Sequence, residues 1–144
     1  MAGFESTEWI ARAPEDVFGF LTDTANAPRV VPSVVRVEKL TDGPVGAGTR
    51  YRETRLMKGK EAQAELEVTA HEPPARYAVR NVANGVETVY DYRLSRERDG
   101  TRVDLAAVVR AGGLKKAIAP IVVSILKKED DDHLQRLKAV VEAG

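Results

Sequence analysis

The sequence contains no cysteine, which excludes disulfide bonds, thiol chemistry and metal sites with thiolate ligands. This composition is compatible with a reducing compartment, and we expect a cytoplasmic location. Excess charge of either sign is also missing, because 22 Lys and Arg balance 22 Asp and Glu. A chain without net charge has no overall field to attract nucleic acid, so we expect no nucleic-acid partner.

Long apolar runs are missing as well. The longest one, residues 117–126, is interrupted by Pro120 and Ser124, and a membrane-spanning helix needs about 20 apolar residues. We therefore expect no integral membrane association.

Patterns typical of metal, cofactor or nucleophile sites are absent too. No spacing of His, Asp and Glu resembles a metal site, and no serine has a base nearby in sequence. The glycine-rich segment 43–48 joins two predicted strands rather than a strand and a helix, unlike a phosphate-binding loop. We expect neither a metal nor a cofactor.

The length of the chain fits one domain, residues 1–144. Hydrophobic residues make up 43% of it, which is enough for a core of its own. A first strand is predicted over residues 4–10. Pro14 suits the first turn of a helix, and Glu15 and Asp16 suit its positive end. A second short helix is predicted over residues 25–31, ended by Pro32.

From residue 34 the hydrophobic period is two, which is typical of strands. Residues 62–70 show it most clearly, and Lys58-Gly59-Lys60 is a predicted hairpin turn before them. After Gly112 and Gly113 the apolar spacing becomes helical, over about residues 119–142. We predict an α+β fold in which a curved antiparallel sheet of about seven strands wraps around a long C-terminal helix, with two short helices after strand 1.

The dimensions of these elements predict a cavity. One helix is about 10–12 Å across, whereas seven strands form a sheet roughly 34 Å wide. Small residues on the inner face, such as Ala64 and Ala107, widen the gap. The alternative is that leucine and isoleucine side chains of the last helix fill the space, because protein interiors are close-packed.

Candidate ligand-binding residues share the predicted inward phase of the strands or of the last helix. They are Tyr51, Glu53, Arg55, Ala64, Leu66, Tyr77, Asn81, Tyr90, Tyr92, Val122 and Leu126. The tyrosines could donate hydrogen bonds to a ligand carbonyl or hydroxyl, or they could be core or rim residues with wet hydroxyls.

The polar candidates each carry two interpretations. Glu53 and Arg55 could bind a polar ligand end or transfer a proton, or they could lie on a solvated strand end. Asn81 could orient a ligand carbonyl or prepare the turn that follows it. His71 is out of phase with the inner face and is predicted at the surface. His133 is predicted at a helix edge, with a role as general base as the alternative.

Four stretches resemble a known family: residues 10–18 (IARAPEDVF), 48–53 (GTRYRE), 71–76 (HEPPAR) and 134–142 (LQRLKAVVE). The chain resembles the START-like (SRPBCC) superfamily and, within it, the polyketide cyclase/dehydrase and lipid-transport group. The resemblance implies a helix-grip fold whose cavity binds lipids, polyketides or other small apolar molecules. Val31 stands where relatives often carry Trp or Phe, and aromatic residues are only 6% of the chain, which is thin for a polyketide cyclase.

The main functional prediction is a non-catalytic carrier or sensor for a hydrophobic small molecule, lipid or polyketide-like. A carrier needs a cavity of roughly 300–1,000 Å³. One alternative is a polyketide cyclase or dehydratase, which needs polar side chains converging in that cavity with perturbed titration. Another is a protein-interaction module of the chaperone-cofactor kind, with a filled interior and an exposed apolar patch. A homodimer through an edge strand or a helix stays open.

Overall fold

Seven strands form one antiparallel sheet in the computed structural model, which describes residues 2–83, 85–130 and 132–144, without the side chains of residues 2, 114, 129 and 130. The sheet order is β1-β7-β6-β5-β4-β3-β2, so the first strand pairs with the last. The strands are β1 (Ala2–Ile10), β2 (Val34–Lys39), β3 (Arg50–Met57), β4 (Lys60–Glu72), β5 (Arg76–Ala83), β6 (Val86–Glu97) and β7 (Gly100–Ala111).

The helices lie between β1 and β2 and after β7. Helix α1 (Pro14–Thr22) and helix α2 (Ala27–Val30) are joined by a 3₁₀ turn, Thr24–Asn26. After β7 come a 3₁₀ segment (Gly113–Ile118), helix α3 (Ala119–Asp130) and helix α4 (His133–Ala143). This arrangement confirms the predicted α+β helix-grip architecture. Within the described residues, each helix is too short or too polar to span a lipid bilayer.

Local chemistry explains how the helices begin and end. Pro14 is the first residue of α1, after an extended Ala13, as predicted. The predicted second helix is shorter than expected. Its first part is the 3₁₀ turn, where the Asp23 carboxylate accepts a hydrogen bond from the Ala25 amide, and α2 ends two residues before Pro32. Asp132, which precedes α4, has non-helical dihedral angles, so the C-terminal helical region comprises two stretches.

The main core lies between the sheet and helices α1, α2 and α4. Its buried residues include Val17 and Phe18 of α1 and Leu134, Leu137 and Val141 of α4. A second, smaller cluster lies under α3 and consists of Val86, Val109 and Ala119, with four partly buried neighbours. Helix α3 thus packs against β1 and β7 and reaches Val86 of β6, whereas α4 packs against β1, α1 and α2.

A β-bulge changes the face of one histidine. The register between β4 and β5 passes from Val68–Val79 to Ala70–Ala78, so β4 holds one extra residue. The extra residue inverts the alternation, and His71 pairs with Tyr77 on the inner face. Its ring contacts the rings of Phe18 and Tyr77, with centroids 5.4 and 6.3 Å away. The prediction of a surface His71 was wrong because the period-two pattern was continued through the bulge.

The connections define two ends of the sheet. One end, called the hairpin end below, carries the β3–β4 turn, the β5–β6 connection and the exit of β7 into the 3₁₀ segment. In the β3–β4 turn, Lys58 and Gly59 both have positive φ (51° and 77°), which suits a tight two-residue hairpin. The opposite end carries the β4–β5 and β6–β7 connections.

Candidate functional site

A cavity of about 360 Å³ lies between the inner face of the sheet and the four helices. Its volume falls in the range of roughly 300–1,000 Å³ that is usual for small-molecule sites. Ala62, Ala64 and Leu66 of β4 form part of its wall. Two alanines at alternate positions leave room that larger side chains would occupy, so the helices do not close the space.

Nearly all of the predicted residues lie around this one cavity. Its lining includes Tyr51, Glu53, Arg55, Ala64, Leu66, Tyr77, Asn81, Tyr90, Tyr92 and Leu126. Their contact with a ligand stays a prediction. Val122 does not line the cavity. It packs against the second cluster of Val86, Val109 and Ala119, so its position does not support ligand contact.

Strand β3 traces the cavity from its mouth to its floor. Met57, Arg55, Glu53 and Tyr51 alternate along the strand and all line the cavity. Met57 is 38% exposed and Tyr51 is 3% exposed, so the mouth lies at the hairpin end. Six residues of strand cover about 20 Å. Ile125 of α3, which is 52% exposed, lines the mouth from the helical side.

The floor is a cluster of buried aromatic side chains. The Tyr77 and Tyr92 rings stack with centroids 6.4 Å apart. The Tyr92 hydroxyl forms a 2.7 Å hydrogen bond with Nε2 of His133. His133 is buried, so its prediction as a helix-edge residue was wrong. It precedes Leu137 by four residues, and this spacing placed it on the buried face of α4.

Burial keeps the floor phenols neutral. Desolvation raises the pKa of Tyr77, with a further contribution from nearby Tyr51. Desolvation also raises the pKa of Tyr51, and the charge of Asp23 adds to the effect. At neutral pH both groups are therefore protonated and able to donate a hydrogen bond into the cavity.

An ion pair lies on the wall between mouth and floor. Nε of Arg55 donates to a carboxylate oxygen of Glu53 at 2.7 Å. The two side chains are only 22% and 15% exposed, so the solvated strand end considered from the sequence is contradicted. The pair presents both charges to the cavity with no net charge. Near it, the Asn81 side chain donates to the Glu65 carbonyl oxygen at 2.8 Å, which fixes the amide.

Residues between β1 and β2 also line the cavity, although sequence reasoning did not select them. They are Phe20, Leu21, Thr24, Asn26, Ala27, Val30 and Val31. The apolar residues of the first predicted helix were the available signal for Phe20 and Leu21. In the described part of the chain, His, Asp and Glu side chains form no group of three that could hold a metal ion.

Comparisons with known proteins agree with the fold. A sequence profile of the family described as "Polyketide cyclase / dehydrase and lipid transport" matches residues 1–142. No curated protein matches the sequence.

Solved structures share the architecture at low identity. The crystal structure of Ara h 8.0201 has a TM-score of 0.82 at 15% identity, covering 99% of both chains. TTHA0849 from Thermus thermophilus has a TM-score of 0.77 at 18% identity, covering 99% of this chain and 98% of that one. BexL, a di-domain ARO/CYC from the BE-7585A biosynthetic pathway, has a TM-score of 0.81 at 20% identity, covering 99% of this chain and 47% of BexL. At these identities the likeness shows the fold alone.

Proposed function

The chain belongs to the polyketide cyclase/dehydrase and lipid transport family, and from this premise we propose that it binds a hydrophobic small molecule, lipid or polyketide-like, as a non-catalytic carrier or sensor. The observation that carries the proposal is the cavity of about 360 Å³ between sheet and helices. An apolar molecule gains free energy when it leaves water for such a site. The alanines of β4 leave the room for it.

The polar groups of the cavity indicate which polar groups the ligand carries. Neutral phenols at the floor favour a ligand whose buried end carries a carbonyl or hydroxyl group, because a protonated phenol can donate a hydrogen bond to such a group. The Glu53–Arg55 pair, nearer to the mouth, suits an uncharged polar group more than a carboxylate, since the pair is already neutral. The proposed ligand is therefore mostly apolar, with one polar group at its inner end.

A second candidate is a polyketide cyclase or dehydratase. It is favoured by two polar pairs in one cavity, Tyr92–His133 and Glu53–Arg55, because such chemistry needs an acid or base within reach of the substrate. The description of BexL as an ARO/CYC is consistent with this candidate. A protein-interaction module was expected to have a filled interior, and the cavity counts against it.

The test has two stages. Native mass spectrometry of the protein purified from its own host is expected to show a retained apolar compound. Binding of the fluorophore anilinonaphthalene sulfonate is then compared between wild type, Ala64→Phe and Ala106→Phe. Ala64 lines the cavity, whereas Ala106 pairs with Asp91 and Glu5 on the other face.

Ala64→Phe is expected to weaken fluorophore binding by about tenfold or more, which corresponds to about 1.4 kcal/mol. Ala106→Phe is expected to bind like wild type. Equal binding by Ala64→Phe and wild type would place the ligand outside the cavity. Conversion of the retained compound during incubation would favour the cyclase.

A further inference from the structure

We propose that the hairpin end docks on an anionic lipid bilayer, with the cavity mouth facing the membrane. The proposal goes beyond ligand binding and depends on no particular ligand. It stands on three features of this end of the molecule: exposed aliphatic side chains, lysines around them, and the position of the mouth among them.

The exposed aliphatic side chains come from several elements that meet at the hairpin end. Ile121 and Ile125, one helical turn apart on α3, are 59% and 52% exposed. Ile118 of the preceding 3₁₀ segment is 41% exposed. Leu56 and Met57 lie at the tip of β3, and Val82 lies near the end of β5. These side chains contribute little to the core, and their exposure has no structural benefit.

The position of the 3₁₀ segment beside the hairpins follows from one contact. The Lys115 side chain lies 3.4 Å from the place where a Cβ on Gly85 would sit. Gly85 belongs to the connection between β5 and β6. The start of the C-terminal helical region therefore lies against the hairpin end.

Lysines surround the aliphatic residues. Lys58 lies in the β3–β4 turn, Lys60 begins β4, Lys115 and Lys116 lie on the 3₁₀ segment, and all four are exposed. Among the described residues near these tips, Arg36 lies between Glu38 and Glu61, and Arg80 lies between Glu67 and Glu87. Arg110 also lies 4.0 Å from Glu87, so three arginines face four carboxylates, and the lysines exceed the remaining negative charge. The zero net charge of the chain thus conceals a local excess of positive charge.

The side-chain composition favours a bilayer over a protein partner. Protein interfaces are enriched in aromatic residues and arginine and depleted in lysine. Among the described residues, the exposed large hydrophobic side chains are all aliphatic or Met. Aliphatic residues set among lysines are typical of surfaces that insert shallowly into an anionic bilayer.

The cavity mouth lies within this exposed aliphatic surface. Met57 and Ile125 belong both to the lining of the cavity and to the exposed aliphatic set. With the hairpin end on a bilayer, an apolar molecule passes between acyl chains and cavity without crossing water, so the unfavourable hydration of its surface is avoided.

Sedimentation with lipid vesicles tests the proposal. The full chain is expected to sediment with vesicles of equimolar phosphatidylcholine and phosphatidylglycerol and not with phosphatidylcholine alone. Binding is expected to fall in about 1 M salt, where the screening length is about 3 Å. Two double variants, Ile118→Ser with Ile121→Ser and Lys58→Glu with Lys60→Glu, are each expected to bind at least about tenfold more weakly.

Matched controls lie at the opposite end of the sheet. Leu40 follows β2 and is 38% exposed, and Arg96 is exposed near the β6–β7 connection. Leu40→Ser and Arg96→Glu are expected to bind vesicles like wild type. Circular dichroism checks the fold of every variant, and the substituted side chains are all exposed.

Three results would overturn the proposal. Failure of wild type to bind vesicles excludes the bilayer, and equal losses in the control variants exclude the hairpin end. Self-association that disappears in the isoleucine variant would identify a protein interface instead. The four test positions, Ile118, Ile121, Lys58 and Lys60, do not line the cavity. Fluorophore binding by these variants therefore reports separately on the proposed ligand site.

Discussion

The side chains at the cavity floor combine burial with hydrogen-bonding capacity. The Tyr92–His133 hydrogen bond satisfies a hydroxyl and a ring nitrogen that would otherwise be costly to bury. A hydroxyl can donate one hydrogen bond and accept others, so Tyr92 keeps acceptor capacity while it is bonded to His133. The floor therefore has a polarity that a purely aliphatic cavity would lack.

Burial of Tyr77 is expected to make the free energy of unfolding fall at alkaline pH. Because its folded-state pKa is raised above 10, the unfolded chain loses this proton first as pH rises. The contribution to stability is complete below about pH 10 and decreases as pH rises toward the folded-state pKa, by at most about 1.4 kcal/mol per pH unit. Urea unfolding of wild type and Tyr77→Phe between about pH 8 and pH 11 measures this difference.

The two proteins differ only at position 77, so the difference between the two curves isolates the Tyr77 phenol. Wild type is expected to lose stability more steeply than Tyr77→Phe above about pH 10. Parallel curves would contradict a raised pKa at this position.

Alternation along the strands was sufficient to predict which strand residues face the cavity. Tyr51, Glu53 and Arg55 share a phase that a regular strand preserves. The face on which His71 lies was predicted wrongly because a β-bulge adds one residue before it. No sequence feature marks that bulge. The burial of His133 was not predicted because histidine is polar, although its spacing of four residues from Leu137 indicated the buried face of the helix.

Close contact between β1 and β7 depends on a glycine. A Cβ on Gly100 would lie 2.4 Å from the Ile10 carbonyl oxygen and 2.7 Å from Cζ2 of Trp9. Gly100→Ala is therefore expected to lower the free energy of unfolding by about 1–3 kcal/mol, because backbone and indole must move. Gly46→Ala is the matched control, since a Cβ there meets nothing within 4 Å.

Urea unfolding compares these two variants with wild type. The control is expected to stay within about 0.5 kcal/mol of wild type. A Gly100→Ala protein as stable as the control would show that the strands can separate at no cost.

The order of elements predicted the architecture, whereas the boundaries of the helices depended on tertiary contacts. Pro14 marked the start of α1, because proline has little cost in a first helical turn. The division of the C-terminal region before His133 was not predicted. Its apolar spacing is helical throughout, so the sequence pattern alone favoured one helix over residues 119–142.

The two core clusters divide the molecule into a closed part and an open part. At the floor, α4 packs Leu134 and Leu137 into the main core. At the hairpin end, α3 packs mainly against β1 and β7, and its Ile125 stays exposed at the mouth. The larger core cluster is thus the one that α4 completes, whereas the cavity mouth lies beside the smaller cluster under α3.

A cavity of this kind makes the stability of the folded protein depend on its ligand. A compound that binds only the folded state stabilises it by about 2.7 kcal/mol at a concentration of 100 times its Kd. For a domain of this size, the melting temperature is expected to rise by roughly 5–10 °C. Differential scanning calorimetry with the compound recovered from the native host measures the shift. A compound that binds by mass spectrometry yet leaves the melting temperature unchanged would bind folded and unfolded chains alike, which a site assembled only by folding does not allow.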